Sequence, residues 1–143
     1  MKMTEELYLK FPSLLRQKIK NGQVKFPLDT LFQYTPVKAY RCIVREPDDM
    51  SAVTRNDFKS YAEEGKRITR NQVIDSSKPD YYGVSLFRRK EIVENKMKFP
   101  NPHKKMAEGF VFQEGGPQRS DKNTEHVCWW LYETIDLTGF KIV

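Results

Sequence analysis

Apolar residues recur at three- and four-residue spacing in Phe11, Leu14, Leu15 and Ile19, with Pro12 in the first turn and Asn21–Gly22 at the stop. This pattern predicts an amphipathic helix over 12–20. Phe26, Leu28, Leu31, Phe32 and Tyr34, punctuated by Pro27 and Pro36, read as a loop with one helical turn from Asp29. The β-branched and aromatic run from Lys38 to Glu46 predicts the first strand, stopped by Pro47 and two aspartates. Thr54 with Asp57 three residues on forms an acidic capping box. Val53 can staple onto Phe58, the stripe Phe58, Tyr61 and Ala62 faces inward, and Gly65 ends the element, which predicts a helix over 55–64.

Residues 66–80, with Arg67, Arg70, Asn71 and Ser76, read as a long polar connection of the kind that carries function. Tyr81–Phe87 predicts a short strand, and Arg88 opens a helix with Ile92, Val93 and Met97 as its apolar positions. A proline-bearing loop over 99–105 leads to a strand over 106–112 with Gly109 at its centre. Residues 114–125 contain no apolar side chain and predict an exposed flap. His126–Glu133 predicts an interior aromatic strand, and Leu137, Phe140, Ile142 and Val143 a short terminal one. Helices come early and strands late, so the expected class is α+β: two or three helices packed on a mainly antiparallel sheet of about five strands. We expect a single domain over 1–143, made of an N-terminal helical segment (1–37) and an α+β core (38–143).

Composition sharpens this picture in two ways. The 143 residues are 38% hydrophobic, 13% aromatic and 31% charged, which argues for a folded chain. No apolar stretch approaches a membrane span and no leader pattern opens the chain, so a cytoplasmic location is expected. Cys42 and Cys128 each sit in an apolar run and read as reduced thiols, not as a disulfide or metal framework. The net charge of +6 is unevenly spread: residues 1–45 hold 9 Lys/Arg against 3 Asp/Glu, and residues 81–106 hold 7 against 2. The second segment supplies Arg88, Arg89, Lys90, Lys104 and Lys105, a candidate basic face for a phosphate-bearing partner or nucleic acid.

Much chemistry is missing from the pattern. There is no glycine-rich phosphate loop, no paired-cysteine metal spacing, no His-Glu-x-x-His helix and no G-x-S-x-G elbow. Three strand positions stand out instead. In the first strand, Arg41 beside Tyr40 shares a face with Ala39 and Ile43, and an arginine among apolar neighbours needs an anion or an internal partner. In the second, Gly83 permits close approach of a flat ligand or a packed aromatic, with Ser85 on its face two residues on. In the third, His126, Cys128 and Trp130 share a face, with His126 at a strand start beside the polar flap, a place for acid–base or phosphate-binding chemistry.

The ordered set YRCIV, TRNDFKSYAEEGK, YYGVSLF, AEGFVF and EHVCWWLYE resembles a group of small, largely uncharacterised bacterial proteins. These show Tyr-Arg, Asp-Phe-x-Ser, Gly-Val-Ser-x-Phe and His-x-x-Trp motifs over the span corresponding to residues 38–133. A more distant likeness is to ADP-ribosyltransferase-like domains. That likeness implies that Arg41 and Ser85 hold a nicotinamide dinucleotide, NAD, and that Glu108, Glu114 or Glu133 is the catalytic acid. Ser85 stands outside a Ser-Thr-Ser run, and Gln113 and Glu114 are adjacent rather than separated by one residue. The leading expectation is a binding module in which Tyr40, Arg41, Gly83, Ser85 and His126 engage a phosphate-bearing ligand or nucleic acid. The alternatives are an NAD-using transferase and a protein-interaction module of the immunity or inhibitor type.

Overall fold

The computed structural model describes residues 4–65, 77–96 and 102–143. Residues 66–76 of the expected polar connection over 66–80, Met97 and the start of the 99–105 loop lie outside the described residues.

Six antiparallel strands form one sheet in the order β4-β5-β2-β1-β3-β6, with four helices among the described residues. The α+β class therefore holds, with one strand more than expected. The strands are β1 (Val37–Val44), β2 (Val84–Phe87), β3 (Lys104–Val111), β4 (Gln118–Ser120), β5 (His126–Trp129) and β6 (Lys141–Ile142). The helices are α1 (Glu5–Tyr8), α2 (Ser13–Lys20), α3 (Tyr61–Glu64) and α4 (Lys90–Lys96).

Strand alternation sorts the side chains into two layers. Ala39 and Ile43 of β1, Val84 and Leu86 of β2, Ala107 and Val111 of β3, and Val127 and Trp129 of β5 bury one face of the sheet against Val53, Phe58, Leu137 and Phe140. On the other face, α4 lays Val93 over Met106 with Tyr40, Cys42 and Phe87 beside it. Further along, Cys128, Trp130 and Tyr132 pack with Tyr81, Tyr82, Val24 and the buried Phe11 and Leu15 at α2. Leu14, expected in the α2 stripe, is exposed.

Several expected elements are recast. The helix over 55–64 is two short pieces: a 3-10 turn at Arg55–Asp57, whose Asp57 carboxylate accepts the Thr54 N–H at 2.9 Å, and α3. Between them Phe58 leaves helical geometry, and Ser60 with Glu63 forms a second capping box that restarts the helix. Tyr61 is consequently exposed, whereas Gly65 closes α3 at φ +65°, as a left-handed C-terminal glycine should. Tyr81 and Tyr82 belong to a 3-10 turn (Pro79–Tyr82), not to the strand. No helical turn forms at Asp29; Leu31 instead exchanges backbone hydrogen bonds with Gln118 at 2.8 and 3.0 Å along the outer edge of β4.

The polar flap also differs from expectation. Gly115, Gly116, Pro117 and Gln118 are buried, and β4 is a strand of the sheet. Gly116 is at φ +140°, and a Cβ there would run into the Trp130 backbone, so the chain needs glycine to run close beside Trp130. Of the expected flap, Glu114 and the turn at 121–124 stay exposed, the turn held by the Asp121 carboxylate accepting the Asn123 N–H at 2.8 Å.

Candidate functional site

The seam between β1 and β2 is short. The two strands share one register pair, Tyr40↔Phe87, whereas β2 and β5 share four. Beyond that pair the Arg41 side chain takes over. Arg41 leaves the face of Ala39 and Ile43, passes over the Phe58 ring at 5.3 Å, and donates from Nη1 to the Ser85 carbonyl at 2.8 Å. Its Nε donates to the Asp57 carbonyl at 3.0 Å and its Nη2 to the Lys59 carbonyl at 3.4 Å. Three carbonyls satisfy the guanidinium, and no carboxylate of the described residues forms an ion pair with it. Burial pulls it below the ordinary guanidinium value, opposed chiefly by the field of Glu64.

Where the strands part, a cavity of about 210 Å³ opens between them beneath α4. Tyr40, Arg41 and Cys42 of β1 and Ser85 and Phe87 of β2 line it, with Val93 and Lys96 of α4 and Lys104 of β3 around its mouth. Among the described residues three cationic side chains border this space and no carboxylate does. Lys96 rests its ammonium 5.3 Å from the centre of the Phe87 ring. The Cys42 thiol is pushed up by burial, with Lys104 and Arg41 opposing.

Ser85 stands on the opposite face of the sheet from Arg41, and its hydroxyl lies 2.6 Å from His126 Nε2. The β2–β5 register places Phe87 beside His126, and the two rings meet edge to face at 5.1 Å. Burial holds the imidazole below its ordinary value. Asp80 and Asp121 pull the other way, while Lys96 and Arg119 reinforce the lowering. The ring is therefore neutral at physiological pH, and in the tautomer with the proton on Nδ1 the Ser85 hydroxyl donates to Nε2.

Of the residues singled out from sequence, Tyr40, Arg41 and Ser85 meet in this cleft, and His126 stands directly behind Ser85. Gly83 does not join them. Its face is filled by the Cys128 thiol, which a Cβ would overlap, and by Trp130 Nε1, 3.2 Å from the same point, so no flat ligand lies there. The expected basic run divides. Lys104 borders the cleft, whereas Lys105 alternates to the opposite face and donates to the Pro47 carbonyl at 3.1 Å. Arg88 is paired with Glu125 at 2.9 Å and the exposed Arg89 with Glu91 at 3.6 Å, while Lys90 begins α4.

The three acids offered for an NAD-using site lie elsewhere. Glu108 faces Tyr40 in the β1–β3 register and pairs with Lys38 at 3.7 Å. Glu114 is exposed in the 3-10 turn Gln113–Gly115, and Glu133 is exposed with its N–H bonded to the Lys10 carbonyl. None of them lines the cleft. Among the described residues no group of three His, Cys, Asp or Glu gathers as a metal site, and no helix is long and apolar enough to cross a membrane.

Sequence reasoning missed Arg45, a buried cation just beyond β1. It grips Asp57 with two bonds, Nε to Oδ1 at 3.0 Å and Nη2 to Oδ2 at 2.8 Å, and reaches Asp49, Ser51 and the Ala52 carbonyl. This knot fixes the 3-10 turn whose Asp57 carbonyl receives Arg41. The two aspartates that follow Arg45 in sequence, Asp49 and Asp57, were the available signal.

No protein-family model matches the chain, and no curated protein or solved structure shows significant similarity to it.

Proposed function

We propose that this protein binds a small phosphate-bearing ligand in the cleft between β1 and β2. The observation that carries this reading is the cationic border: Arg41, Lys96 and Lys104 line about 210 Å³, and no carboxylate of the described residues joins them. Positive charge in a partly desolvated recess attracts an anion more strongly than the same charge on an open face. Lys96 and Lys104 supply the mobile ammonium contacts. Arg41, its donors turned to carbonyls, contributes charge from beneath.

The cavity is small beside the roughly 300–1,000 Å³ that houses a drug-sized ligand, which favours a phosphate with a compact group attached over a nucleic acid strand. The basic residues outside the cleft are partly consumed by ion pairs, which further weakens the strand reading.

Equilibrium dialysis with inorganic phosphate and with a nucleoside monophosphate tests the proposal. Saturable binding is expected at low salt, weakened as salt rises and abolished in the Lys96→Ala/Lys104→Ala double variant. Absence of binding at low salt, or binding indifferent to both substitutions, rejects it.

A further inference from the structure

We propose that Ser85 is a nucleophile toward phosphomonoesters seated in the β1–β2 cleft, with His126 as the acceptor of its proton. The inference rests on the phosphate-binding reading and adds a reaction to it. Ser85 both lines the cationic cleft and holds its Oγ 2.6 Å from His126 Nε2, so a phosphoryl group drawn in by Lys96 and Lys104 arrives at a hydroxyl already joined to a base. The backbone of Ser85 is fixed from the other side of the sheet by Arg41, whose Nη1 holds the Ser85 carbonyl at 2.8 Å. Arg41 is thus a positioning residue for the nucleophile.

The step balances without a redox partner. Ser85 Oγ forms a bond to phosphorus as the ester P–O bond breaks on the side opposite Oγ; the hydroxyl proton passes to His126 Nε2, and the departing alkoxide takes a proton from solvent. Water entering on the side opposite Oγ next attacks phosphorus and loses its proton to solvent; as the P–Oγ bond breaks, His126 returns its proton to Ser85 Oγ, which frees inorganic phosphate and restores the serine. Lys96 and Lys104 lie where charge spreads over the phosphoryl oxygens. The charged groups acting on His126 are Asp80 from the turn before β2, Asp121 from the tip after β4, Lys96 from α4 and Arg119 from β4. Burial, reinforced by Lys96 and Arg119, outweighs the pull of Asp80 and Asp121 and keeps the ring neutral, so the rate is expected to rise with pH and level off near neutrality.

The test uses 4-nitrophenyl phosphate, following nitrophenolate release and mapping acid-quenched protein for phosphoserine, alongside inorganic phosphate binding by dialysis. Turnover with label on Ser85 is expected in the wild type and none in Ser85→Ala. His126→Gln is expected to slow turnover about 100-fold or more while phosphate binding persists. Retained phosphate binding shows that a variant is folded. Should Ser85→Ala lose it, the wild-type map decides, with phosphate on Ser85 supporting the proposal and phosphate elsewhere or nowhere overturning it. A wild type that binds phosphate but neither turns over nor is labelled overturns the reaction and leaves the binding reading intact. Absence of phosphate binding overturns both.

Discussion

Arg41 and Ser85 leave opposite faces of the sheet, yet the Arg41 guanidinium donates to the Ser85 carbonyl at 2.8 Å across the gap between β1 and β2. A side chain stands in for strand pairing at the place where the cleft opens. The same guanidinium reaches back to the Asp57 carbonyl, and Asp57 in turn holds the buried Arg45. The cleft therefore depends on a chain of contacts running from Arg45 through Asp57 and Arg41 to Ser85.

Arg41→Ala is expected to cost about 2–3 kcal/mol of stability, because the Ser85, Asp57 and Lys59 carbonyls lose a charged donor together. Arg41→Lys is expected to recover little, since an ammonium cannot reproduce a planar fork that bonds in three directions. Urea unfolding of both variants measures this. A lysine variant as stable as the wild type would show that the carbonyl contacts contribute nothing.

Asp57 makes stability depend on acid. Burial alone raises its pKa, but the Arg45 hydrogen bond, the Thr54 N–H and the Arg45 charge together outweigh burial and hold the carboxyl below its ordinary value. A carboxyl depressed in the folded state stabilises fully above its unfolded pKa, near 4, and loses that contribution as pH falls through the folded value. Stability is expected to decline below about pH 4, and Asp57→Asn should flatten that decline. At neutral pH the same substitution leaves the buried Arg45 with the part-exposed Asp49 as its remaining carboxylate and should cost about 3 kcal/mol. Chemical denaturation from pH 7 down to pH 2 reads both effects.

Gly83→Ala is expected to destabilise by about 1–3 kcal/mol, because the added methyl meets the Cys128 thiol and the Trp130 indole. Removing the thiol in Cys128→Ala should relieve part of the clash, so the double variant should fall short of the sum of the two singles. Strict additivity in a double-mutant cycle would mean that the collision lies elsewhere.

How far the sequence revealed this arrangement follows from the range of each signal. The face shared by Ala39, Arg41 and Ile43 and the one shared by His126 and Cys128 were legible, because strand alternation is local. The break at Phe58 was also written locally, in Ser60 and Glu63, but the first capping box masked the second. Gln118 was not legible as buried: backbone pairing with Leu31 and Trp129 encloses it, and neither partner is near in sequence. Nor was the cleft, since it requires β2 to lie beside β1 and Arg41 to cross between them. Lys104 and Lys105 look like one basic patch in the chain, and the alternation of β3 sends them to opposite faces.

The two cysteines give the cleft a chemical footprint. Cys42 is half-buried and lines the cavity, whereas Cys128 is buried beneath the Asp80 turn. Burial raises both thiols, Cys128 far more, while Lys104 and Arg41 work against the rise at Cys42. Thiolate is the reactive form, so Cys42 should alkylate slowly at neutral pH and faster as pH rises, with Cys128 untouched until the protein unfolds. A phosphate-bearing ligand in the cleft should slow Cys42 alkylation by shielding it and by neutralising the cations that favour its thiolate. Peptide mapping after iodoacetamide treatment, with and without saturating phosphate, measures the ratio. Protection confined to Cys42 and absent in the Lys96→Ala/Lys104→Ala variant would place the anion between β1 and β2, and equal rates with and without phosphate would leave that cleft empty.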